Sequence, residues 1–69
     1  MNILVIDQFT CFKTIYIYNT LTQNIIDLTY TENLKELELQ LLLYNLKITK
    51  PFKWPTKNKY LEINLTEIK

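Results

Sequence analysis

The chain has 69 residues, one Cys, no His and a formal net charge of +1, so it is read as a single domain spanning 1–69. One cysteine excludes an internal disulfide, and one Cys without His makes a protein-ligated zinc an unsuitable staple. A domain this small buries only roughly 60% of the surface its unfolded chain exposes, so a well-packed core and a partner are the remaining sources of stability.

In chain order, Ile3 to Ile6 is continuously apolar, as a central strand buried on both faces would be. Gln8 to Phe12 reads as a connection. Residues 13–30 read as a hairpin: a four-residue loop at Thr20–Gln23 sets Asn19 opposite Asn24. Ile17 then pairs with Ile26 and Ile15 with Leu28 on one face. Tyr18 with Ile25, Tyr16 with Asp27 and Thr14 with Thr29 share the other. In a chain without glycine, a positive φ here is least costly at Asn19 or Asn24.

Thr31 is the expected N-cap, with Thr29 and Glu32 as a competing capping box. The helix is expected from about Glu32 to Leu46 or Lys47. Residues 47–59 read as a loop, and 60–68 alternate as a half-buried strand. The expected fold is a small α+β domain with elements in the order βββαβ: a mostly antiparallel sheet and one helix across one face.

Leu34, Leu37, Leu41, Tyr44 and Ile48 form one apolar stripe at helical spacing, and Leu39, Leu42, Leu43 and Leu46 form a second on another side. One helix on one small sheet needs a single stripe. The second is covered either by a protein partner or by Phe52 and Trp54 of the 47–59 loop folding back; one of those rings is expected on the C-terminal half of the helix, the other more exposed. The interface candidates are therefore Leu39, Leu42, Leu43, Leu46, Phe52 and Trp54.

Charge is polarised. Residues 47–59 carry five Lys and no acid, against three Lys and seven acids elsewhere. Lys50, Lys53, Lys57 and Lys59, interleaved with aromatics, are candidates for contact with nucleic acid or another anionic surface. The bland alternative turns the rings inward and solvates the lysines. Tyr16, Tyr18 and Tyr60 could line the outer sheet face as a stacking platform, or serve only strand propensity.

No catalytic, cofactor-binding or metal-ligating residue is assigned. Without Gly there is no phosphate-cradling loop, and without Ser or His the usual nucleophile–base pairs cannot form. Cys11 reads as a small buried hydrophobe. Asp7 and Asp27, the only Asp residues, could form a carboxylate pair but read as solvated acids.

The expected function is that of a non-enzymatic small subunit or assembly factor of a protein complex. The alternatives are a nucleic-acid- or anion-binding module built on the 47–59 loop, or a small viral effector that binds a host protein. No apolar run approaches a membrane span, and the N-terminus lacks a basic leader, so an intracellular, soluble chain is expected. Phe, Tyr, Met, Ile, Asn and Lys fill 33 of 69 positions while Gly, Ala, Arg, Ser and His are absent, which suggests an AT-rich coding genome such as that of an organelle or virus.

Overall fold

The structure, a computed structural model, describes residues 1–8, 13–55 and 59–68; Cys11 and Lys57 fall outside them. Those residues form a small α+β fold: five strands in one antiparallel sheet, with a single helix on one face. The elements are β1 (Asn2–Asp7), β2 (Thr14–Asn19), β3 (Ile25–Leu28), α1 (Leu34–Leu42), β4 (Leu46–Ile48) and β5 (Tyr60–Glu67), and the strand order is β3-β2-β1-β5-β4.

β1 is the middle strand, and this accounts for its unbroken apolar run. Leu4 and Ile6 face the helix side, and Val5 the opposite side; all three are buried. The period of two would leave Val5 in water on an open face. Here its cross-strand neighbours Tyr16 and Glu62 flank it instead.

The β2–β3 register is the one the turn and the apolar pattern require: Ile15 opposite Leu28, Tyr16 opposite Asp27, Ile17 opposite Ile26 and Tyr18 opposite Ile25. Asn19 closes the loop, its N–H donating to the Asn24 carbonyl at 3.0 Å and its Oδ1 accepting from the N–H groups of Leu21 and Thr22. With Asn19 occupied as a local acceptor, the left-handed residue is Gln23 (φ 62°), not Asn19 or Asn24.

The helix is shorter than its leucine run implies. Asn33, not Thr31, is the N-cap, accepting on Oδ1 from the N–H of Lys35 (2.9 Å) and Glu36 (3.3 Å). Thr31 supports it from one turn back, accepting from the Asn33 N–H and donating to the Glu36 carboxylate. Glu36 also faces the positive helix end.

At the other end Asn45 adopts φ 61°, which an Asn tolerates better than most non-glycine residues, and turns the chain out of the helix. Its N–H donates to the Leu42 carbonyl; its carbonyl accepts from the Ile68 N–H and its Nδ2 donates to the Ile68 carbonyl. Leu46 to Ile48 thereby becomes a strand against β5, adding an element to the expected βββαβ order. Leu46 is accordingly a buried core residue of β4, not part of an exposed helical stripe.

Leu37 and Leu41 seat the helix on Leu4, Ile6, Ile15, Ile17, Ile63 and Leu65. Gln40 adds a polar clamp: its amide pairs with both backbone groups of Thr29, accepting from the N–H (2.8 Å) and donating to the carbonyl (2.9 Å).

Candidate functional site

Three of the four leucines of the second stripe are left uncovered. Leu39, Leu42 and Leu43 are 64%, 56% and 83% exposed. Leu39 and Leu42 wall a cleft of about 470 Å³ with Leu46, Ile48 and Ile68; Lys35, Glu38 and Lys47 complete its lining. The cleft exists because Asn45 reverses the chain, laying β4 alongside the helix instead of prolonging it. Leu39 and Leu43 border a second groove, between the helix and β3, shared with Leu28, Thr29, Gln40 and Tyr44.

Phe52 and Trp54 do not supply the missing cover. Both are half-buried against the core, with ring centroids 5.7 Å apart and planes tilted by 35°. Phe52 shares a depression with Leu34, Glu38 and Ile48, at the N-terminal half of the helix. The expectation of one ring on the C-terminal half and one outside is thus corrected. The reason is Gln8, which is only 5% exposed. Two donors point at one atom of its amide, which is therefore the carbonyl oxygen. That oxygen accepts from the Tyr30 hydroxyl (2.8 Å) and from Trp54 Nε1–H (3.0 Å), while Nε2 donates to the Pro55 carbonyl (3.1 Å). The Gln8 N–H also donates to the Lys59 carbonyl. A residue read from sequence as part of a connection is in fact the buried polar hub that holds the aromatic loop. No spacing motif announces it; only the fold brings residues 8, 30, 54 and 55 together.

Of the candidate anion contacts, Lys50, Lys53 and Lys59 are exposed, and Lys57 is outside the described residues. The rings between them turn inward, so the lysines lack the stacking partners that base recognition uses.

The register puts Tyr16, Tyr18 and Tyr60 on the outer sheet face together with Asp7, Asp27 and Glu62. Acids on this face oppose phosphate. Asp7 and Asp27 lie two strands apart, on the order of 10 Å, too far to share a proton. Among the described residues, no group of three or more His, Cys, Asp or Glu is placed to hold a metal ion. Among the described residues, no helix is long and apolar enough to cross a membrane.

The Tyr60 phenol is pushed up to about 12, first by burial and then by the neighbouring Glu62 carboxylate and Tyr16, both within hydrogen-bonding reach. The folded state therefore favours the protonated phenol. The linked stability is fully present below the ordinary tyrosine value of about 10 and is lost as pH rises from there toward 12. Tyr60 is half-exposed, so water screens the effect and the stability at stake is small. Ultraviolet titration of the wild-type chain and Tyr60→Phe should show one phenol ionising near the top of this range, moved down by Glu62→Gln. A difference titration centred at the ordinary value would remove this reading.

Neither a family model, nor a curated protein, nor a solved structure matches this chain.

Proposed function

We propose that this chain acts by binding another protein, as a non-catalytic small subunit or assembly factor of a larger complex. The observation that carries the reading is the exposure of Leu39, Leu42 and Leu43 around the cleft beside β4, in a chain whose own aromatic loop is held elsewhere by Gln8. Exposed apolar surface on this scale relative to a small domain is costly unless something covers it. An apolar floor with Lys35, Lys47 and Glu38 along it suits a partner that presents an apolar ridge flanked by charges of both signs.

The test is light scattering of the purified chain, alone and mixed with proteins that co-purify with it. The expected result is a complex of fixed stoichiometry that the Leu39→Glu/Leu42→Glu chain fails to form while keeping its circular dichroism and denaturation midpoint. Retained association of that variant with the co-purifying protein, or a chain that co-purifies with nothing, overturns the reading.

The loop lysines offer a second surface, for nucleic acid or an anionic membrane, but no further observation favours it. If it operates through charge alone, binding falls steeply with added salt and shows no base preference.

A further inference from the structure

The two edges of the sheet are built differently. β4 is three residues long, carries the exposed Lys47, and is followed by Lys50 and Pro51. Shortness, lysine and proline are the devices that keep an edge from pairing with another chain. β3, at the opposite edge, is one residue longer and carries neither of the chemical devices: Ile25–Leu28 contains no Lys and no Pro, and Ile25 and Ile26 are 59% and 36% exposed.

The hydrogen-bond alternation identifies which of its backbone groups are free. Asn19 N–H donates to the Asn24 carbonyl, so Ile26 and Leu28 direct their backbone groups to β2, while Ile25, Asp27 and Thr29 direct theirs outward. Thr29 is already taken by the Gln40 amide. On the other side, Gln23 at φ 62° ends the extended chain. What remains is a short free edge with two outward-facing residues, Ile25 and Asp27, which no described group meets.

We propose that β3 pairs antiparallel with β3 of a second copy about a two-fold axis at Ile26, joining two five-stranded sheets into one. The occupant follows from the register. With the axis at Ile26, Ile25 of each copy exchanges both backbone hydrogen bonds with Asp27 of the other, so every free group is used. Ile26 meets its twin on the helix side as a close, non-hydrogen-bonded apolar pair. An axis at Asp27 sets two carboxylates directly opposite and requires Thr29, which Gln40 holds. An axis at Ile25 requires Gln23, which is not extended. The edge is therefore self-complementary in one register, as an isologous contact must be. The groove walled by Leu28, Leu39, Leu43 and Tyr44 adjoins the same edge and adds apolar surface to a short strand pairing. This contact excludes Leu42 and shares only Leu39 with the cleft, so substitution at Leu42 separates the two surfaces.

The test is sedimentation of the full chain over about two decades of concentration. The expected result is a mass rising toward twice the 8.4 kDa of the chain. Ile26→Lys sets like charges at the axis, and Ile25→Pro removes a free N–H at the first position of an edge strand, where proline is tolerated. Each should hold the mass at one chain without loss of circular dichroism, and Leu42→Glu should leave dimerisation unchanged. In a Cys11→Ser background, Ile26→Cys should cross-link two chains under mild oxidation, because Cα atoms of such a pair lie about 4.5 Å apart, within disulfide reach. Ile25→Cys, which faces Asp27 of the other copy, should not. A monomer at every concentration overturns the proposal, and leaves the edge to an extended segment of a different protein. So does a dimer that survives both edge variants, or one that Leu42→Glu abolishes.

Discussion

Trp54→Ala should destabilise the isolated chain by ~3 kcal/mol, the lower part of the range for losing a large buried aromatic. The ring packs against the core beside Phe52, and its N–H is one of two donors to the buried Gln8 oxygen. Alanine removes both. Trp54→Phe separates them: the ring contact persists, and the missing N–H should cost only about 1 kcal/mol, because Tyr30 still donates to Gln8. Trp54 is the only tryptophan, so urea unfolding of the three chains is followed by circular dichroism rather than fluorescence. A ring that served a partner instead would leave the denaturation midpoint of the free chain where it is and weaken assembly by ~2 kcal/mol or more. The two outcomes move different measurements, and the inward position of Trp54 favours the first.

Leu41→Ala should cost about 3 kcal/mol, whereas Leu43→Ala, two positions on, should fall within about 0.5 kcal/mol of wild type. Leu41 is fully buried between helix and sheet; Leu43 is among the most exposed large side chains described. A domain of this size has roughly 3–5 kcal/mol of stability from its core, so Leu41→Ala is left with only about 0–2 kcal/mol and should unfold at low urea. Leu41→Met, which conserves volume, should stay within about 1.5 kcal/mol and verifies that the site, not the helix backbone, is responsible. Equal losses at positions 41 and 43 would mean that both stripes are buried in the free chain, and the cleft reading would go with them.

Much of the architecture is local and was legible for that reason. Side chains in a strand alternate with period two, so a hairpin register that both closes a turn and gathers Ile15, Ile17 and Leu28 on one face has almost no competitor, and the observed pairing is that register. The unbroken run Leu4-Val5-Ile6 marks a strand covered on both faces, and it occupies the centre of the sheet. The α+β class and the position of Leu37 and Leu41 on the core follow from the same periodicities.

The helix C-terminus was legible in part. Asn45 is of the residue type that ends helices in the left-handed region, but the leucines around it continue a helical spacing through Leu46. Two periodicities compete over that stretch, and the strand wins because β5 offers Leu46–Ile48 a ladder and Leu46 a place in the core.

What the sequence by itself determined is four of the five strands, the register of the first hairpin, the face of the helix that must be buried, and an excess of leucine beyond what one sheet can cover. What only the tertiary structure decided is which groups meet across long separations. Gln8 reaches Tyr30, Trp54 and Pro55, drawing the aromatic loop inward and away from Leu39, Leu42 and Leu43. Gln40 reaches Thr29 and closes one end of the β3 edge. A buried amide must find partners wherever the fold places them, and those partners sit tens of residues away with no spacing rule connecting them. Periodicity encodes which face of an element is apolar; it does not encode what lies against it. That is why the surplus leucines were visible as a question in the sequence, and why their exposure became a property of the molecule only once the loop had been placed.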